Sequence, residues 1–172
     1  MSKLKKILKL TGKILLVLLV LIQFIRPDKN NSGNVTNDIT KQWPMPDNVK
    51  TILATACNDC HSNTTKYPWY SQIQPVAGWL ANHIDEGKHE LNFNEFTSYR
   101  LYRQYHKLEE IEEVITENEM PLSSYTIIHR DAILDETQKS ALINWTREIR
   151  DSMKAQYPAD SLISPKKRQA QS

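Results

Sequence analysis

Apolar residues along the chain form one near-continuous run, followed by five spaced stripes. The run is Ile14 to Ile25, broken only by Gln23 and ended by Arg26-Pro27. The first stripe is Val49, Ile52, Leu53 and Ala56 at i, i+3, i+4 and i+7. That spacing predicts a helix, with Asp47 as N-cap, delivering its last turn to Cys57. Pro75 suits the first turn of a second helix, in which Val76, Trp79, Leu80, His83 and Ile84 share a face and Gly87 reads as the C′ stop. Phe93, Phe96, Tyr99, Leu101 and Tyr102 predict a third, less regular helix over about 94–104. Leu108, Ile111, Val114 and Ile115 predict a fourth, whose outer face is rich in Glu (Glu109, Glu110, Glu112, Glu113, Glu117) and reads as solvated. Asp135 with Gln138 resembles a capping box opening a fifth, striped by Ala141, Leu142, Trp145 and Ile149. This last helix is expected to cross the first and close a pocket between them. No period-two alternation persists, so the fold class is all-α, a bundle of about five helices.

The segments between the stripes set the organisation. Residues 27–42 are rich in Asp, Asn, Ser, Gly and Thr, and read as a flexible linker. The pair of prolines in Trp43-Pro44-Met45-Pro46 favours an extended start to the ordered part. Tyr67-Pro68-Trp69-Tyr70 reads either as a pocket wall or as ordinary core. Residues 118–133 read as a loop around Met120-Pro121-Leu122. Beyond Tyr157-Pro158 the chain turns polar and basic and is expected to fray. The expected division is an N-terminal segment over 1–26, a linker over 27–42, a domain over 43–158 and a disordered basic tail over 159–172.

Charge sharpens that division. The formal net charge of +2 hides an asymmetry: residues 30–159 carry 12 Lys/Arg against 18 Asp/Glu, a net of −6, and the two ends are basic. An acidic folded part argues against nucleic acid as partner. Lys3, Lys5, Lys6, Lys9 and Lys13 precede the apolar run, and no small-x-small cleavage site follows it. The 12 residues from Ile14 to Ile25 are fewer than the roughly 20 a span needs. Extension back to Leu4 lengthens the apolar face, with Lys9 and Lys13 snorkelling to the headgroups. The expectation is an uncleaved signal anchor, a single transmembrane helix with its Lys end inside and the domain outside the cytoplasmic membrane, facing the periplasm. The competing reading is a cleaved signal peptide.

Candidate chemistry centres on Cys57-Asn58-Asp59-Cys60-His61, which holds the only two cysteines in the chain. C-x-x-C-H reads as a c-type haem attachment site: two thiols placed for thioethers to the two vinyl groups, with the following His as proximal iron ligand. A zinc site would want four Cys/His ligands, and His83 and His89 stand six apart rather than at finger spacing. A thiol redox motif would want a βαβ setting, and a plain disulfide leaves His61 unexplained. The second axial position is open to Met120, to a histidine or to no ligand. Met120 leads, because Pro121 stiffens its loop and a thioether favours Fe(II) and a high potential. His83, His89, His106 and His129 are the rivals, and His129 is the nearest in sequence to Met120.

The pattern Cys57 to Asn63, Tyr67 to Tyr70, Pro75, Gly78, Trp79, Leu91-Asn92-Phe93, Met120-Pro121-Leu122, Tyr125 and Trp145 resembles the bacterial haem-binding domain family of small cytochrome c-like proteins, over about residues 41–155. The resemblance implies one covalent haem c on Cys57 and Cys60, iron ligation by His61, and an M-P element at Met120-Pro121 that supplies the distal ligand. It also implies an N-terminal membrane segment. The expected function is a membrane-anchored, mono-haem electron carrier and not an enzyme, with redox proteins, basic or membrane-bound, as partners. Two alternatives remain. One is a gas sensor or peroxidase-like enzyme with an open distal site, for which His129-Arg130 is the only candidate pair. The other is a haem-free thiol redox or metal-binding module.

Overall fold

A computed structural model describes residues 2–166. Its described residues form seven α-helical segments, two of them single turns, with short 3-10 turns and no strand. One isolated bridge joins Asn31 and Thr64. The helices are α1 (Ser2–Ile22), α2 (Asp47–Ala56), α3 (Asn58–His61), α4 (Val76–Glu90), α5 (Leu101–Thr116), α6 (Ser123–Thr126) and α7 (Glu136–Gln156).

The core lies where α2, α5 and α7 bring their stripes together. Val49, Ile52, Leu53, Leu108, Ile111, Ile115, Leu142, Trp145, Ile149 and Met153 are all buried in it. The capping box forms as expected, with Asp135 Oδ1 accepting from the Gln138 backbone and the Gln138 side chain bonding back. Trp145 reaches from α7 to donate to the Pro44 carbonyl at 3.0 Å, which ties the last helix to the approach of α2. The expected crossing of first and last core helices is therefore present.

Several expectations are corrected. The third and fourth predicted helices divide elsewhere: Phe93–Ser98 is a 3-10 turn, and α5 starts at Leu101 and runs unbroken to Thr116. The Glu-rich face of α5 is not merely solvated, since Glu112 pairs with Arg147 and Glu109 with Arg150, both on α7. Gly87 does not stop α4, which continues to Glu90.

The segment 27–42 is a bonded strap rather than a loose linker. Asn30 Nδ2 donates to the Ser62 carbonyl and to Thr65 Oγ1, each at 2.9 Å, and Lys88 Nζ donates to Asn30 Oδ1. Asn63 Nδ2 donates to the Asn34 carbonyl, Asn94 Nδ2 to Asp38, and Ile39 is fully buried. Polar composition mimics a linker, but these polar groups find partners in the protein rather than in water. The chain does not fray at Pro158 either: Ala159–Leu162 is a 3-10 turn that buries Leu162 against the core. The rest of the expected tail, 167–172, lies outside the described residues.

The N-terminal helix forms but buries none of its apolar side chains. Among the described residues no helix is long and apolar enough to cross a membrane. Lys9 and Lys13 interrupt the stripe, and only Ile14–Ile22 is unbroken within α1. The expected transmembrane helix is therefore not supported by this element.

Candidate functional site

Helix α2 ends at Ala56, and Cys57 takes an extended φ of −129° before α3 begins. This break turns the chain so that α3 presents Cys57, Cys60 and His61 to one cavity of about 750 Å³. That volume sits within the roughly 300–1,000 Å³ typical of small-molecule and cofactor sites. Leu53, Ala56, Leu91, Phe93, Ile111, Val114, Ile115 and Leu142 give it apolar walls, and Met120 lines it as well. The four residues singled out in the sequence, Cys57, Cys60, His61 and Met120, therefore share one cavity.

Gly87 explains how α3 and α4 come so close. A Cβ at that position would lie 2.9 Å from the Cys60 carbonyl oxygen and 3.1 Å from Cys60 Cβ. Glycine here lets one backbone approach another, a role unrelated to helix termination. Just beyond α4, the Leu91 carbonyl receives His61 Nδ1 at 3.0 Å. The proton of that bond sits on Nδ1, which leaves the Nε2 lone pair free for a metal. Burial lowers the His61 pKa, outweighing its backbone hydrogen bonds, and so keeps the ring neutral. Phe93 packs edge-on to the imidazole, with centroids 6.5 Å apart, and limits its rotation.

The two cysteines are free thiols. Burial, reinforced by Cys60, pushes Cys57 up to about 12, and burial with Asp59 pushes Cys60 up to about 11. Such groups stay protonated at neutral pH. Reactive redox cysteines show the opposite shift, toward thiolate. Among the described residues, no group of three or more His, Cys, Asp or Glu comes together as a metal site.

Asp59, inside the motif, is a hub that the sequence did not reveal. Its Oδ1 accepts from the Lys66 backbone at 3.0 Å, its carbonyl from Thr65 Oγ1 at 2.6 Å, and its Oδ2 from Tyr125 Oη at 2.8 Å. Tyr125 follows Met120 by five residues, so this last bond ties the Met120 loop to α3. Burial raises the Tyr125 pKa, and the bond to Asp59 raises it further, so the phenol remains a donor. Asn63 is equally connected. It accepts from Asn92 and donates to Asn34 and Glu95 through its side chain, and its backbone N–H donates to Asn94.

The rival ligands fall elsewhere, with one exception. His129 Nε2 bonds Tyr70 Oη at 2.7 Å, its ring stacks on Tyr125, and it does not line the large cavity. His106 faces Glu109 and Glu110 on the surface. His83 does reach the cavity edge, where its Nδ1 bonds the Trp79 carbonyl at 3.0 Å. The Tyr67 to Tyr70 stretch neither walls the large cavity nor fills the core: Trp69 is 77% exposed, and Tyr67 accepts from the Asn30 backbone. The cavity rim carries Glu86, Glu90, Glu110, Glu113, Glu117 and Glu119, with Lys107 bonded between Glu90 and Glu110.

A family described as haem-binding domain matches residues 17–148, which takes in the end of α1, the strap and every cavity residue named above. No curated protein and no solved structure matches the chain.

Proposed function

The chain belongs to the haem-binding domain family, and from that membership we propose that it is a mono-haem c-type cytochrome, an electron carrier rather than a catalyst. Haem is the cofactor. Cys57 and Cys60 hold it through thioethers, His61 is the proximal iron ligand and Met120 the distal one. When bound, the haem supplies a one-electron Fe(III)/Fe(II) couple.

The observation that carries this reading is the His61 Nδ1 bond to Leu91, with Nε2 left for iron in the cavity that both thiols and Met120 line. The residues fit the group: the cavity has the size, the apolar walls and the donor set. Leu91 and Phe93 fix the ring, and the buried surroundings keep His61 neutral. The apolar walls would cover much of the porphyrin, and a thioether ligand would favour the ferrous state. The acidic rim supports a basic redox partner; tethering at the outer face of the cytoplasmic membrane is inferred from the lysines that precede the apolar run, which is short for a span and would need a thinned bilayer or snorkelling flanks.

The other readings gain less. The His129-Arg130 pair, the candidate for peroxidase chemistry, does not line the cavity. The raised thiol pKa values disfavour a thiol redox module. The test is Met120→Ala in haem-loaded protein. Covalent haem is expected to remain, the charge-transfer band of methionine-ligated ferric haem to vanish, and the potential to fall. An unchanged band and potential would remove Met120 from the iron.

A further inference from the structure

The end of α1 is fastened to the haem domain. Gln23 and Gln74 exchange two hydrogen bonds: Gln23 Nε2 donates to the Gln74 carbonyl at 3.1 Å, and the Gln74 backbone donates to Gln23 Oε1 at 3.0 Å. Gln74 Nε2 also donates to the Ile25 carbonyl at 2.8 Å, and the Arg26 guanidinium bonds the Gln72 carbonyl. The helix therefore leaves the domain at a set angle rather than on a swivel.

Around this joint the domain exposes what it buries elsewhere. Phe24, Ile25, Trp69, Ile73 and Val76 are exposed there, Phe24 at 80%. Beside them a cleft of about 350 Å³ is lined by Arg26 and Lys29, with Asp28 as its one acid. The surrounding domain is net acidic, so this basic and aromatic corner stands apart from it. A tryptophan beside aliphatic residues and cations matches the bilayer interface, where amphipathic rings sit at headgroup level.

Length points to the same occupant. The helical part of the apolar run, Ile14 to Ile22, spans only about 13 Å, against a hydrocarbon core of about 30 Å. A short run of this kind draws its flanks toward the lipid.

We propose that the corner formed by Phe24, Ile25, Arg26, Lys29, Trp69, Ile73 and Val76 docks on an anionic bilayer surface, so that the haem domain is held in one orientation. The proposal rests on the membrane tether of the preceding section. The two are separated by testing the haem-loaded full chain in nanodiscs of phosphatidylcholine and phosphatidylglycerol carrying a gadolinium-chelate lipid. The indole N–H signals are read in the reduced state, and Trp69 is assigned by its loss in Trp69→Phe. Trp43 and Trp145 are buried and serve as internal references. The expected result is a several-fold larger relaxation enhancement at Trp69 than at either reference. That excess is expected to fall in Gln23→Ala/Gln74→Ala while the chain stays with the discs. A chain that stays with the discs but shows no excess at Trp69, or an excess indifferent to the double variant, overturns the docked corner. A chain that does not associate with the discs overturns the tether itself.

Discussion

The cavity has two unlike walls. Cys57, Cys60 and His61 stand on one short stretch that is held from several sides: α4 presses on Cys60 through Gly87, Leu91 bonds His61, and the strap and the 92–95 turn hold the following Asn63. Met120, also on the cavity lining, follows the end of α5, where its backbone bonds Val114 and Asn118 turns the chain with a φ of 59°. The described side-chain tie between its loop and α3 is Tyr125 to Asp59. One wall is set by adjacent residues and reinforced by packing. The other is set by a loop tied at separate points, by Val114, Lys139, Asp59 and Tyr70. Retention of the cofactor should therefore depend on the first wall, and tuning of the iron on the second.

The largest expected effect breaks the first wall outright. Cys60→Ala would leave one thioether at most, and the haem of purified protein should become extractable with acidified organic solvent, where the wild type is expected to resist. Next is Gly87→Ala. Alanine improves helix propensity by about 1 kcal/mol, but its Cβ would overlap backbone, and overpacking costs about 1–3 kcal/mol. Net destabilisation is expected in urea unfolding of the apo chain, and a stabilised variant would show that α4 is free to move off α3.

The second wall should respond more softly. Tyr125→Phe removes one half-buried hydrogen bond and should cost about 0.5–1.5 kcal/mol. It should also weaken the methionine-ligation band without loss of covalent haem. Loss of haem with the band intact in what remains would reverse the assignment of the two walls. The smallest effect lies away from both. The Arg147 guanidinium, with Arg150 beside it, holds Glu112 below the usual carboxylate range. The folded pKa is depressed, so this stabilisation is present above the ordinary value of 4.5 and lost as pH falls through the folded one. Glu112→Gln should lower the unfolding free energy measured in urea slightly at neutral pH, by under about 1 kcal/mol, with a difference from wild type that shrinks in acid.

The contrast between the walls also marks what could be read from the chain. Cys57 to His61 are adjacent, so their grouping at one cavity was legible as spacing, and the stripes of α2 and α7 located the core around them. For Met120 the structure shows a place on the cavity lining, which its Pro and its loop had marked as a candidate. Gly87 was misread, because a glycine needed for close approach looks the same in sequence as one that ends a helix. The 27–42 strap was misread for a related reason: its Asn and Thr residues are satisfied by Ser62, Thr65, Asn63 and Asn94, which lie far along the chain. Asp59 and Tyr125 are 66 positions apart, and no local pattern pairs them. The N-terminal run was legible as apolar, and Lys9 and Lys13 keep it from the length that a span requires.

The most direct measurement combines the intact mass of protein matured in the periplasm with its pyridine haemochrome spectrum. The account predicts a mass greater than the polypeptide by one haem and a spectrum of the c type. A colourless protein with the mass of the polypeptide alone would contradict it.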